Sequence, residues 1–409
     1  MEYFTDIAIV GGGASGLAAA IAAKRKNSAL RVILLEGLDR VGKKLITTGN
    51  GRCNITNKNL DLSRYHGKDK EFCRFALEKF GYNNIKDFFE SLGVDFLSEG
   101  DKVYPASLQA SSVVDALRFE CDRLGVETVL NCKIKEIKTG KEFILISEND
   151  CIVSKSVIVA TGLFSGGEKI GSDGGMFRIL KNMGLSSVKA SPSLVQLKTE
   201  TDFVKQLKGI KVDAKATLLC EGKSFSEYTD EVLFCDYGLS GPAILQISRQ
   251  SARDEKNYEV SLDIYPDTAI DTLTASLKRR VILLSERTLE DFFTGSLNKR
   301  LGQVVLKYCG FKLCNKASSL SDKDIKYLAK TLKDLRFKVT SNTGFLNSQV
   351  TAGGLSTKEF DDKTMMSKKI KGLFATGEIL DIDGDCGGFN LAWAWSSGIL
   401  AGESVVELL

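Results

Sequence analysis

The chain has 409 residues, 43% hydrophobic and 26% charged. At roughly one domain per 150 residues this allows two or three domains, and it excludes wholesale disorder. Lys and Arg number 56 against 52 Asp and Glu, a formal net charge of +4 that names no class of partner by itself. One histidine, His66, argues against a multi-histidine metal centre or a His-based triad, and ten cysteines without a CxxC pair argue against structural zinc, so no metal is expected.

Asp6-Ile7-Ala8-Ile9-Val10 reads as a buried parallel strand, followed at once by Gly11-Gly12-Gly13-Ala14-Ser15-Gly16. Leu17 to Lys26 continues as a helix rich in small residues. A second apolar run, Val32-Ile33-Leu34-Leu35, ends in Glu36, 20 residues after Gly16. This is the dinucleotide-binding βαβ fingerprint in its structural context. Gly11 makes the tight turn, Gly13 admits a pyrophosphate and Gly16 lets helix and strand pack. The anion sits on the helix N-terminus, and Glu36 accepts from a ribose diol, which disfavours a 2′-phosphate. The apolar run Ile7 to Ala23 lacks a basic leading region and is broken by glycines, so it does not read as a signal peptide. No other stretch of roughly 18 apolar residues exists, so no membrane span is expected. Reduced cysteines in a cytoplasmic protein are the expectation.

Further along, Gly49-Asn50-Gly51-Arg52 is a glycine-rich loop bearing a cation, suited to a pyrophosphate and flavin edge, or else a plain surface turn. Ser156-Val157-Ile158-Val159-Ala160-Thr161-Gly162 reads as a strand running into a tight turn, and the loop Gly171-Ser172-Asp173-Gly174-Gly175 follows. Residues 189 to 265 read as short strands, among them Lys211 to Leu219 and Tyr258 to Leu262. From 266 to 336 the period becomes helical. Thr288-Leu289-Glu290-Asp291 and Ser321-Asp322-Lys323-Asp324 resemble capping boxes, and Ile325, Leu328, Leu332 and Leu335 form one apolar stripe. Between 266 and 340, 15 Lys and Arg stand against 8 Asp and Glu, a net of +7 that leaves about −3 elsewhere. Such a lobe suits a phosphate backbone or is a solvated helical face. Gly372-Leu373-Phe374-Ala375-Thr376-Gly377-Glu378 is a second strand-and-turn. Gly387-Gly388-Phe389-Asn390 then opens a helical run from Leu391 to Leu400, either aimed at a flavin edge or a simple helix cap. Trp393 and Trp395 point different ways on it, so at least one packs in a core.

Flavoproteins of the glutathione-reductase-like fold set ATG and GD-type turns against FAD, and here Glu378 stands for the usual aspartate. The absence of a second GxGxxG makes one bound FAD the economical reading, with NAD(P)H as a transient donor. Several segments together resemble one family, the BaiN/RdsA-like bacterial flavoproteins, also called aminoacetone-oxidase-family FAD-binding enzymes. They are GGGASG at the start; Gly42-Lys43-Lys44-Leu45 through Thr48-Gly49-Asn50-Gly51-Arg52-Cys53-Asn54-Ile55-Thr56-Asn57; Gly238-Leu239-Ser240-Gly241-Pro242; Thr351-Ala352-Gly353-Gly354-Leu355 with Thr364 to Lys368; and Asp383 to Gly398. Two departures fall on the substrate side: Thr161-Gly162-Leu163 where the family usually reads ATGG, and Cys235-Asp236 where it often has Thr-His.

The resemblance implies an α/β chain, a glutathione-reductase-like FAD-binding Rossmann domain with an inserted β-rich domain and a small helical domain. The expected division is 1–188 with 343–409 for the FAD domain, 189–265 with about 337–342 for the β-rich one, and 266–336 for the basic helical one. It implies cofactor contacts at Gly11, Gly13, Ala14, Ser15, Gly16, Glu36, Lys44, Gly51, Arg52, Cys53, Asn54, Ile134, Ala160, Thr161, Gly162, Gly377, Glu378, Gly388, Phe389, Asn390 and Leu391. Cys53 is the candidate proton donor, or a packed thiol; Tyr237 and Asp173 are weaker candidates. The implied activity is NAD(P)H-driven flavin reduction and hydride transfer to an activated C=C. The candidate substrate is uridine in large-subunit ribosomal RNA, with the basic lobe as its seat. A small-molecule reductase or oxidase (steroid, bile acid or aminoacetone) and a non-catalytic FAD-binding protein are the alternatives.

Overall fold

The computed structural model describes residues 1–254 and 256–409. Its Cα packing divides into two units, Met1–Pro192 with Ser348–Leu409, and Ser193–Asn347.

In the first unit β1 (Glu2–Val10), α1 (Ala14–Lys26) and β2 (Val32–Leu35) form the expected βαβ crossover. They are followed by α2 (Ala110–Arg123), β3 (Glu127–Val129), β4 (Glu136–Lys138), β5 (Phe143–Ile146), β6 (Cys151–Val159), β7 (Leu373–Ala375) and α3 (Phe389–Leu408). The sheet runs β3-β2-β1-β6-β5-β4, and β7 pairs with the C-terminal half of β6 beside β5. β1 is parallel to both β2 and β6, which is why Ile7 to Val10 and Val157 to Val159 are apolar without alternation. The strands β1, β2, β6 and β7 thus direct their C-terminal ends, and the turns after them, to one edge of the sheet. Helix α3 lies against α1 at very short range. A Cβ on Gly398 or Gly402 would stand 2.4 or 2.3 Å from the backbone oxygen of Ser15 or Ala19. Small residues on both helices permit that approach, and it fixes the C-terminal helix to the fingerprint helix.

The second unit is a closed six-stranded barrel. Around it run Leu197–Thr199, Gly238–Ser240, Lys223–Phe234, Lys211–Cys220, Tyr258–Asp263 and Leu335–Asn342, the last closing on the first. Helices Ile270–Leu283, Lys299–Tyr308 and Asp322–Lys333 complete it. The structure differs from the expected three-part division. Leu277, Val305, Leu328 and Leu332 of the helices share one buried cluster with Ala216, Val260 and Phe337 of the barrel. Some seventy helical residues bury too little surface alone, so the helical segment and the β-rich segment form one core. Leu335 closes the apolar stripe from the barrel strand rather than from the helix, which ends at Lys333. Ser321 makes its capping box, whereas Thr288 precedes a single 3₁₀ turn without a side-chain cap bond.

Candidate active site

The fingerprint turn is built as its glycines require. The Gly11 N–H donates to Leu35 O at 2.8 Å and the Ala160 N–H to Val10 O at 2.8 Å, which locks the turn between neighbouring strands. Gly11 has φ +108°, and a Cβ there would lie 2.7 Å from Ala160 O; one on Gly16 would lie 1.9 Å from Gly11 O. Gly13 is different. Its Cβ position meets nothing closer than 4.0 Å, so the backbone faces open space. Helix α1 starts there, at Ala14 and Ser15, with no side-chain cap and no acidic residue in its first turn. Its unpaired N–H groups and dipole therefore favour an anion. Glu36 accepts from the Gly12 N–H at 2.8 Å through Oε2 and from the Leu38 N–H at 2.9 Å through Oε1. Burial pushes its carboxyl up, against the pull of those N–H donors. The chain returns past it, with Cys132 N–H donating to Glu36 O at 2.9 Å, and Ile134 is buried two residues on.

The two strand-ending turns sit beside this one. Ala160 and Thr161 lie under Gly11, and the Cβ position of Gly162 is open. Gly377 is held by its N–H to Ser397 Oγ at 3.0 Å and by its carbonyl, which accepts from Trp393 Nε1 at 3.1 Å. A Cβ on Gly377 would stand 2.9 Å from Ser15 Oγ. Glu378 accepts from Ser165 Oγ at 2.6 Å, from the Thr351 N–H at 3.1 Å and from Lys44 Nζ. Thr351 Oγ1 in turn accepts from the Phe164 and Ser165 N–H groups. Lys44 and Glu378, named separately by motif, are thus one ion pair joining three distant segments. Nothing local in the sequence signals Ser165 and Thr351 as its other members.

The Gly49–Arg52 loop is a turn in which both Gly49 and Asn50 are left-handed, and Gly51 faces open space. Arg52 stacks over the Tyr104 ring at 4.5 Å and pairs with Glu99 at 2.9 Å. Asn54 Oδ1 accepts from the Val103 N–H, and Asn57 Nδ2 donates to Gly387 O at 2.9 Å. That last contact brings the loop to the second glycine segment. A Cβ on Gly388 would lie 2.5 Å from Thr56 O. Helix α3 begins at Phe389 with no side-chain cap and no acid in its first turn, so it presents a second bare N-terminus. Phe389 packs edge-on to Tyr65, whose hydroxyl donates to Phe389 O, and Leu391 is half-buried. Asn390 turns back: its amide exchanges hydrogen bonds with the Gly384 backbone, both at 2.8 Å. Both tryptophans are core, Trp395 Nε1 donating to Ile55 O. Thr56 Oγ1 and Thr376 Oγ1 are wholly buried and have no hydrogen-bond partner among the described residues.

Of the three candidate proton donors, Cys53 is fully buried and burial pushes its thiol up to about 12. Asp173 is raised by burial, but Lys133 and the Gly175 N–H outweigh this and hold it below the usual carboxylate range. Tyr237 belongs to the second unit; burial, with Cys235 beside it, pushes its phenol up. Among the described residues no cluster of three or more His, Cys, Asp or Glu could hold a metal, and no helix is long and apolar enough to cross a membrane.

The HI0933-like protein Rossmann domain family matches residues 5–404, nearly the whole chain. The chain belongs to this family. The 3-dehydro-bile acid delta(4,6)-reductase of Clostridium scindens is 36% identical over 98% of this chain and 99% of its own. The ribosomal RNA dihydrouridine synthases of Haemophilus influenzae and Escherichia coli are each 28% identical over 99% of both partners. A solved quinol–fumarate reductase aligns with 100% of this chain and 71% of its own at TM-score 0.51 and 15% identity, a likeness of fold. The HI0933-like family bears out the BaiN/RdsA-like resemblance read from the motifs. The fold is the Rossmann-type FAD-binding fold, and the protein is an enzyme of the FAD-dependent oxidoreductase class.

Proposed function

We propose that this chain is a reductase of carbon–carbon double bonds conjugated to a carbonyl, acting on uridine in large-subunit ribosomal RNA. Its residues fit one FAD on two features: an open backbone at Gly13 and two uncapped helix N-termini. When bound, FAD would supply the redox chemistry, a hydride originating from NAD(P)H and delivered to C6 of the uracil ring as C5 gains a proton, to give dihydrouridine.

The Gly11–Gly16 turn and the start of α1 bind the pyrophosphate, and Lys44, held by Glu378 and Ser165, would serve the cofactor as a hydrogen-bond donor. Glu36 is oriented by Gly12 and Leu38, which leaves lone pairs for the ribose diol. Gly51, Arg52 and Asn54, with Ala160 to Gly162 and Gly377 to Glu378, would supply the cofactor's remaining contacts. The N-terminus of α3, at Gly388 to Leu391, offers its dipole to negative charge developing on the ring system. Cys53 packs rather than donates: giving up its proton would leave a thiolate where burial already opposes one. The ten cysteines are free thiols, which suits a cytoplasmic setting.

The RNA reading is carried by the net +7 of residues 266–340. Deleting the gene and mapping dihydrouridine in large-subunit ribosomal RNA tests it. A modification lost in the deletion strain and restored by the wild-type chain supports the reading, and an unchanged map sinks it. The higher identity to the bile-acid reductase favours a second reading, a small conjugated ketone as substrate. Under it, an enone steroid reoxidises the anaerobically reduced protein and RNA does not.

A further inference from the structure

Helix Asp322–Lys333 has two unlike faces. Ile325, Leu328, Ala329 and Leu332 are buried in the second unit's core. Lys323, Lys326, Tyr327 and Lys330 are exposed, and their spacing of three, four and seven residues places them on one stripe, about 10 Å long. Two lysine pairs on it are helical neighbours of like charge, which weakens a helix by a few tenths of a kcal/mol each. None of the three lysines has a carboxylate within ion-pair distance among the described residues, and Asp324 and Asp322 act on Lys323 and Lys326 only at longer range. Four other cations of the lobe are paired: Lys278 with Asp322 at 2.8 Å, Lys299 with Asp291 at 2.8 Å, Lys316 with Glu286 at 2.6 Å and Lys333 with Asp263 at 2.6 Å. Asp322, at the start of the same helix, is already taken by Lys278. Tyr327, 49% exposed, stands among the three ammonium groups.

Three clustered ammonium groups without a direct ion pair attract a polyanion. An exposed aromatic ring among the cations selects a polyanion with flat, unstacked faces to offer. We propose that the Lys323–Lys326–Tyr327–Lys330 face binds single-stranded RNA, with the ammonium groups on successive phosphates and Tyr327 stacked on an unpaired base. This rests on the RNA reading of the function and names the surface that holds the substrate. A membrane surface would match the charge but has no base for the ring to stack on.

The test uses the full-length, flavin-loaded protein and a labelled, uridine-rich single-stranded RNA, with affinity read by fluorescence anisotropy across a salt series. The triple variant Lys323→Gln, Lys326→Gln, Lys330→Gln keeps its flavin and binds at least about tenfold more weakly. Its log K against log salt slope falls by about 2, as expected for three phosphate contacts on a single strand. Tyr327→Ala loses about fivefold with the slope unchanged, and Tyr327→Phe keeps the affinity. Lys299→Gln with Lys316→Gln, which removes paired cations, stays within about twofold of wild type. A triple variant that binds as wild type does overturns the assignment. So does a wild-type protein that prefers duplex RNA or anionic vesicles, or that binds no RNA. Failure here and failure of the function separate cleanly. If the triple variant both binds RNA normally and restores dihydrouridine in the deletion strain, the face is wrong and the function stands. If the deletion leaves dihydrouridine intact while the triple variant loses RNA affinity, the function is wrong and the face stands.

Discussion

Cys53 shows how one residue type supports two opposite readings until its surroundings are known. In the sequence it lies within a glycine-rich loop expected beside a flavin, where a thiol would make a plausible acid. In the structure it has φ +58°, is wholly buried, and belongs to the same core as Ile55 and Tyr65. Replacing it with alanine keeps the Cβ and hence the backbone strain, and removes only the sulfur. Cys53→Ala is therefore expected to cost about 1 kcal/mol of stability and to leave kcat within about twofold of wild type. A group that donates the proton contributes about a hundredfold or more. Steady-state turnover of the flavin-loaded variant decides between the two: a hundredfold loss with flavin retained would return Cys53 to the chemistry.

Elements are held together here by side chains that sequence patterns mark only faintly, and Glu120 is the clearest case. It lies on α2, takes Arg123 of its own helix through both oxygens (2.6 and 2.8 Å), and takes Arg25 in the last turn of α1 at 2.7 Å. Arg123, against the cost of burial and with the help of Arg25, holds its carboxyl below the usual glutamate range. A carboxylate with a depressed folded-state pKa stabilises the fold above the unfolded value, near 4.5, and loses that contribution as pH falls through the lower folded value. Glu120→Gln should thus lower stability by about 1.5–3 kcal/mol at neutral pH, and the deficit should shrink steadily below about pH 4.5. Urea unfolding followed by tryptophan fluorescence checks this, because both tryptophans, Trp393 and Trp395, lie in the first unit. A deficit that persists unchanged at acid pH would mean that the amide fails for steric reasons rather than for want of charge. The same contrast marks what sequence could reveal. Strands β1, β2, β6 and β7 and helix α1 were legible because each carries its own period and its own turn chemistry. Ser321 was legible as a cap because the partner that completes its box is three residues away. Thr288 has the same pattern, an aspartate three residues on, but no α-helix to cap, and Leu335 continues a helical stripe from a strand, since tertiary packing overrides local pattern at both. The Lys44–Glu378–Ser165–Thr351 group draws on three stretches of chain, around 44, around 165 and from 351 to 378, and only the fold brings them together.

At the scale of the whole molecule the chain is interrupted once: residues 193–347 leave the Rossmann unit and return to it. The barrel strands nearest that departure and return, Leu197–Thr199 and Leu335–Asn342, pair directly, with Leu197 opposite Asn342. In the first unit Ser187–Ser193 and Val350–Leu355 likewise pair as a two-stranded sheet. Both sets of ends are therefore close in space, and each unit keeps its own buried cluster. Loop-closure entropy grows only slowly with length, so excising the insertion and bridging 192 to 348 with a short glycine-rich linker costs the first unit little. All the residues assigned here to FAD lie in that unit. The bridged protein is expected to be yellow and to quench flavin fluorescence on binding. Residues 193–347 alone, at about 155 residues, are large enough to fold around a single core. That fragment is expected to melt cooperatively by circular dichroism and to stay colourless with added FAD. It carries the Lys323–Lys330 face, so it should also shift labelled single-stranded RNA while the bridged protein does not. A bridged protein that folds yet takes up no FAD, or a colourless fragment without RNA affinity, would mean that the corresponding site needs residues from both parts of the chain.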